Sequence, residues 1–208
     1  MRNRARVLGL SILALSVPCL AQGPQTVLER LEERFDKNPE LRKLNDSVPA
    51  PLQRVNWMVG RWDASEKTFA TSRTPERTAT GVRVTAFELG GRWLVSRNTL
   101  GEASTQTFLG YDAYQRRWAW QFFSSVGRGT NGLLFAASWD QNQLAFSGAM
   151  TFWGEGATID LRIDKISDDE YTETFEETLG GGRVIRPIFQ YKYVRQKAGP
   201  PPAKAPAK

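Results

Sequence analysis

The side chains that most often perform catalysis are scarce in this sequence. Its 208 residues include no histidine and one cysteine. Ser-His-Asp and Cys-His triads, His-ligated zinc or haem, and an imidazole general base are therefore excluded. A single cysteine can form neither an internal disulfide nor a multi-cysteine zinc or iron–sulfur site. We accordingly expect no metal centre and no cofactor.

Carboxylates offer a second candidate chemistry. Glu173, Glu176 and Glu177 follow an acidic turn at 168–170, and paired carboxylates could serve glycoside hydrolysis or calcium binding. Threonines alternate with them, however, a pattern that is typical of the solvated outside of a sheet. Both interpretations stay open, and the solvated strand is the simpler one.

One arginine and one glutamate occupy strand faces that otherwise look apolar. Arg97 shares a face with Trp93 and Val95, and Glu173 shares a face with Phe175. A charge that points into a core must be paired. We therefore predict that Arg97 and a glutamate form a polar spot inside the fold that orients the polar end of a ligand.

Aromatic residues dominate the remaining faces that alternation places inward. We predict that they line an interior binding site together with Arg97 and Glu173. The aromatic members of this predicted set are Trp93, Tyr111, Trp118, Trp120, Phe122, Phe175 and Tyr191.

Short β-rich segments must position these side chains. The segments are separated by turn signals such as Gly90-Gly91 and Asp140-Gln141-Asn142, and no helix of ordinary length interrupts them, which favours antiparallel hairpins. We predict ten strands: 60–69, 82–87, 93–99, 105–111, 117–124, 133–139, 143–152, 157–166, 171–178 and 184–195. The predicted fold class is all-β, an antiparallel up-and-down barrel that leaves no free edge. A two-sheet sandwich is the alternative.

A Gly-x-Trp opening and three later motifs give this region a family resemblance. A short helical turn at 52–58 leads into Val59-Gly60-Arg61-Trp62. Gly90-Gly91-Arg92-Trp93-Leu94, Leu109-Gly110-Tyr111-Asp112 and the closing run Tyr191 to Arg195 follow in order. Residues 52–196 thereby resemble the lipocalin-like barrels of secreted bacterial domains of unknown function. The resemblance implies structural roles for Gly60, Trp62 and Arg195, with Arg195 lying over the ring of Trp62. It implies a fold and no established activity.

The N-terminus has the features of a targeting segment. Arg2, Arg4 and Arg6 precede an apolar run at 7–17, and Ala21 provides a small residue for cleavage. We predict a Sec signal peptide over 1–21, hence a periplasmic or secreted protein. The run is too short to span a bilayer, so we expect no transmembrane segment. Lipoprotein anchoring through Cys19 is the alternative, although Pro18 fits that signal poorly.

Residues 22–51 are expected to form a helical arm and a linker. Val27, Leu28, Leu31 and Phe35 recur at helical spacing, which predicts a short amphipathic helix that could contact a protein partner. The pair Asn38-Pro39 ends this helix and can begin a second one. At the other end, 197–208 is a Pro/Ala/Lys segment that we expect to be disordered.

The basic character of the sequence comes from its two ends. The whole chain has 28 Lys+Arg against 22 Asp+Glu and a pI near 9.7. Three arginines lie in the predicted signal peptide and three lysines lie in the tail, so 22–196 carries 28 − 6 = 22 basic groups against 22 acidic ones. The predicted domain is therefore formally neutral, and we expect no nucleic-acid partner.

Three hypotheses for function remain. The first is a binding protein for a small apolar or amphipathic molecule held inside the barrel. The second is an enzyme without a cofactor, of the lyase or isomerase type, which would use Tyr, Arg and Glu in the same cavity. The third is a filled barrel that serves as an interaction module. The missing histidine favours binding over catalysis.

Overall fold

A computed structural model describes residues 25–125, 130–137, 139–140, 142–152, 154–179 and 184–197. The predicted signal peptide and residues 198–208 of the predicted disordered tail lie outside this part of the chain. The described helices are α1 (Val27–Lys37), α2 (Pro39–Asp46) and a 3₁₀ helix (Ala50–Met58). The strands are β1 (Gly60–Thr68), β2 (Arg77–Glu88), β3 (Trp93–Leu100), β4 (Ala103–Asp112), β5 (Arg117–Ser124), β6 (Asn131–Ala136), β7 (Trp139–Asp140), β8 (Gln143–Phe152), β9 (Glu155–Lys165), β10 (Glu170–Leu179) and β11 (Val184–Arg195).

Ten of these strands close into a ring. Neighbours along the chain pair antiparallel, β1 pairs with β11, and β6 pairs with β8. The two-residue strand β7 adds a short pairing to β8 outside the ring. The predicted all-β antiparallel barrel of ten strands is confirmed, and the two-sheet sandwich is wrong.

The segment before the barrel contains the two expected helices. α1 begins with a capping box, in which Thr26 and Glu29 bond each other's backbone N–H groups. The described residues 25–39 belong to a compact unit separate from that of the barrel. In the second unit, the Tyr114 hydroxyl donates to the Leu41 carbonyl oxygen at 3.0 Å, which ties α2 to the β4–β5 turn. None of the described helices is long and apolar enough to cross a membrane.

The 3₁₀ helix closes one end of the barrel. Its residues Leu52, Val55 and Met58 are buried against Trp62, whose indole N–H donates to the Met58 carbonyl oxygen at 2.9 Å. The Arg195 guanidinium lies 4.1 Å from the centre of the Trp62 ring, the contact that the resemblance implies. This end of the barrel, from the 3₁₀ helix to the Trp62 ring, is hereafter the closed end.

Gly60 makes the close approach of Arg195 to the backbone feasible. Its φ is +136°, and a Cβ at this position would come within 2.7 Å of Nη1 of Arg195. That nitrogen donates to the Val59 carbonyl oxygen at 2.9 Å. A side chain at residue 60 would therefore strain the backbone and displace a bonded guanidinium.

Candidate functional site

A buried ion pair lies on the inner face of the barrel. The Arg83 guanidinium donates to the Glu173 carboxylate at 2.5 Å, and both side chains are 2 % exposed. Register pairing explains the arrangement, because Arg83 pairs with inward-facing Trp62 and Glu173 pairs with inward-facing Tyr191. The two charges neutralise each other where neither can be hydrated.

Hydroxyl groups complete the coordination of this pair. Nη2 of Arg83 donates to Ser96 at 2.8 Å, and the Thr85 hydroxyl donates to the same Ser96 oxygen at 2.9 Å. The Tyr193 hydroxyl donates to the second Glu173 oxygen at 3.2 Å. The network satisfies its charges internally and links side chains of β2, β3, β10 and β11.

Aromatic rings surround the ion pair. The Arg83 guanidinium lies 4.5 Å from the Tyr193 ring centre and 5.6 Å from that of Tyr171. Burial raises the pKa of Tyr171, Tyr191 and Tyr193. Burial by itself would lower the pKa of Arg83, but the adjacent Glu173 charge raises it above its usual range. All four side chains therefore stay protonated at neutral pH.

A cavity of about 210 Å³ opens at the end of the barrel opposite the closed end. Its wall is mainly apolar, and the aromatic residues in it are Phe122, Phe152, Phe175, Phe189 and Tyr191. Phe175 follows buried Glu173 by two residues on the same face of β10, so the cavity lies just beyond the ion pair. A dry apolar cavity of about 150 Å³ is large enough to bind benzene, and this one therefore has room for a small ligand.

Polar atoms are a minority of the cavity lining, and two of them belong to a carboxyl group. Glu66 of β1 is part of the lining and pairs in register with Tyr191 of β11. Its carboxylate accepts a hydrogen bond from the Thr68 hydroxyl at 3.0 Å, and its charge adds to the effect of burial in raising the pKa of Tyr191. The Thr130 hydroxyl also lines the cavity and has no hydrogen-bond partner among the described residues.

A second hollow, of about 310 Å³, lies near the closed end, within the second compact unit, between the outside of the barrel and the stretch from α2 to the 3₁₀ helix. Leu44 and Pro49 form one side, and Trp93, Tyr111 and Phe135 are on the strand side. Gly110 lets Trp93 lie flat on the sheet, since a Cβ there would come within 2.7 Å of the indole ring. This groove is separate from the interior cavity.

The structure corrects the predicted direction of two side chains. Arg97 was expected inside, but it lies on the outer face, 53 % exposed, and pairs with Glu88. Trp93 was also expected inside, and it too lies on the outer face, against Phe108. The physical reason is that β3 buries Leu94, Ser96 and Asn98 on its inner face, so the polar residues that looked external are the internal ones.

The remaining sequence-predicted residues lie in four places. Phe122, Phe175 and Tyr191 line the cavity, and Glu173 lies beneath it in the ion pair. Trp120 is buried behind the cavity, stacked on Phe122 with 5.7 Å between ring centres. Trp118 is buried beside Tyr111 and Trp139, away from the cavity. Binding of a ligand by any of these residues stays a prediction.

Sequence reasoning missed Arg83 and Glu66. In the segment Val82 to Phe87 the apolar residues Val82, Val84 and Ala86 alternate with Arg83, so Arg83 looked external. The signal that could have located it is Trp62, because hairpin pairing of β1 with β2 puts Arg83 directly beside that inward ring. Across the described ranges, no group of three or more carboxylates converges as a metal site would require.

Comparisons with known proteins agree with the fold and go no further. No family model matches the chain, and no curated protein matches it. The crystal structure of Rv2717c from M. tuberculosis is similar at a TM-score of 0.52 with 12% identity, covering 73% of this chain and 100% of that one. A redesigned β barrel matches at a TM-score of 0.33 with 8% identity, over 69% of this chain and 95% of the other. At this identity the match to Rv2717c concerns the barrel fold alone.

Proposed function

We propose that the protein binds a small apolar or amphipathic molecule in the cavity at the end of the barrel opposite the closed end. The observation that carries this proposal is the contrast between the two ends of the barrel. The closed end is filled by Trp62, Trp118 and the 3₁₀ helix, whereas the other end keeps a cavity of about 210 Å³. Small barrels either fill their interior or hold one small ligand, and this cavity supports the second case.

The walls of the cavity suit a ligand about the size of one aromatic ring. Phe175 lies 5.7 Å from Tyr191 and 6.5 Å from Phe189 between ring centres, and the rings meet edge to face with Phe175 in both pairs. Such walls present apolar surface with few hydrogen-bonding groups. A molecule of this size would exchange the water in the cavity for contact with aromatic carbon, which is favourable.

Tryptophan emission provides the test, because Trp120 stacks on Phe122 and its ring centre is 5.5 Å from that of Phe175. We expect benzyl alcohol to change this emission saturably. Ala103 lines the cavity, so Ala103→Leu should fill the space and abolish the change. Ala149→Leu, at an exposed position on β8, is the matched control and should bind normally. An unchanged response in Ala103→Leu would contradict the proposal.

A further inference from the structure

The cavity contains a carboxylate that the interior charges leave uncompensated. Arg83 and Glu173 neutralise each other within the barrel, and Glu66 is not among the ion pairs of the described residues. Its neighbour Lys67 lies on the opposite strand face, where Nζ pairs with Glu76 at 2.9 Å. No Lys or Arg occurs among the described residues that line the cavity. The site therefore presents one negative charge to whatever enters it.

A neutral ligand would displace water from the Glu66 carboxylate without supplying a compensating charge. Filling the cavity removes water from the Glu66 carboxylate, which among the described residues keeps only its hydrogen bond from Thr68. Stripping water from a charge is costly unless a partner replaces it. An anionic occupant would add repulsion. A cationic occupant is the one kind that repays the loss of water.

The aromatic walls also favour a positively charged ligand. Phe152 and Phe189 lie 6.3 Å apart between ring centres, and Phe189 lies 6.5 Å from Tyr191. Ring faces are electrically negative, and several rings around one space form the kind of cage that holds ammonium ions. The unpartnered Thr130 hydroxyl adds an acceptor at the wall.

We infer that the cavity selects a small organic cation of the ammonium type, with its charge beside Glu66 and its alkyl or aryl groups against the aromatic walls. This inference rests on the proposed function and adds the chemical class of the ligand to it. Ammonium ions with only a few carbon groups suit a cavity of about 210 Å³.

The test compares two probes of the same shape and different charge. Choline is the cation, and the alcohol in which carbon replaces the choline nitrogen is its neutral isostere. Isothermal titration of the full chain should give choline an affinity about tenfold higher or more, equivalent to about 1.4 kcal/mol. Glu66→Gln should bring the two affinities together. Glu102→Gln, in the exposed β3–β4 turn, should leave their ratio unchanged.

The outcomes separate this inference from the proposed function. If the isostere binds as tightly as choline, the inference is overturned, while ligand binding in the cavity stands. If neither probe nor benzyl alcohol binds the wild-type chain, both fail. Retention of the choline preference in Glu66→Gln would also overturn the inference. The ratio of the choline affinity to the isostere affinity in the wild-type chain is decisive by itself. A variant that fails to fold therefore does not prevent the test.

Discussion

Arg83 and Glu173 carry opposite charges in a part of the barrel that water does not reach. Such a pair adds little net stability compared with apolar residues of the same shape, because both ions lose their hydration. We expect the ion pair instead to disfavour strand pairings in the wrong register. A shift of β2 or β10 by one residue would move one charge to the outer face and leave the other buried alone.

We therefore predict strongly unequal effects of single and double substitutions at the ion pair. Arg83→Met leaves the Glu173 carboxylate buried without a cation, and the free energy of unfolding should fall by about 3–5 kcal/mol. Adding Glu173→Leu should recover much of this loss. Urea denaturation of the single and double variants measures the coupling.

The surface pair Arg97–Glu88 is the matched control for this experiment. It is solvent-exposed, so Arg97→Met should cost about 1 kcal/mol or less. Equal losses from Arg83→Met and Arg97→Met would show that the buried pair has no special cost when broken.

At the scale of elements, most strand bounds could be predicted from the sequence. The spans 117–124, 143–152 and 184–195 agree to the residue with β5, β8 and β11, because glycines and Asx residues mark the turns between them. The predicted strand 133–139 was wrong in part, since the structure divides this stretch between β6 and the two-residue β7.

Which face of a strand points inward was harder to predict than where the strand lies. Alternation located Trp118, Trp120 and Phe122 correctly because β5 is apolar on its inner face. It failed for Trp93 and Arg97, since β3 places Ser96 and Asn98 inside and buries Val95 on the outer face. Local alternation does not report a buried polar network, whose members come from β2, β3, β10 and β11.

The joint between the 3₁₀ helix and β1 gives a second prediction. Gly60→Ala should lower the free energy of unfolding by about 1–3 kcal/mol, since residue 60 has a positive φ and the Cβ would press on the bonded Arg195 guanidinium. Gly156→Ala in β9 is the control, because a Cβ there meets nothing within 4 Å. Chemical denaturation compares the two, and equal stabilities would contradict the proposed strain.

At the scale of the whole molecule, the barrel could be predicted and its cavity could not. Gly60 and Trp62 mark the first strand of the barrel in the sequence itself. The empty space depends instead on how side chains from β1, β4, β5, β8, β10 and β11 meet. Phe122 and Phe175 could be named as interior residues, but Glu66 acquires its position only when β1 and β11 pair.

Alkaline stability is a third prediction, and it concerns cooperative unfolding of the whole barrel. Burial raises the pKa of Tyr171, Tyr191 and Tyr193 in the folded state, whereas unfolded tyrosines ionise near pH 10. The stabilisation from these raised values is complete below about pH 10 and is lost above it, because only the unfolded chain releases these protons. At about pH 11 the loss should be on the order of 1 kcal/mol for each tyrosine.

Tyr171→Phe isolates one part of this effect. The Tyr171 hydroxyl has no hydrogen-bond partner among the described residues, so its removal should not destabilise the barrel at neutral pH. The variant should lose less stability than the wild type in urea unfolding above pH 10. A Tyr171→Phe profile that coincides with that of the wild type would show that this tyrosine ionises equally in both states.

The pairing of β1 with β11 joins the first and the last described strands of the barrel. Without this pairing, β1 has β2 as its only neighbour and keeps one open edge. Contacts between residues so distant in sequence make folding slow. Glu66 and Tyr191 face each other across this last seam. The cavity lining is therefore complete only when β1 and β11 are paired, so closure of the ring and formation of the cavity are the same structural event.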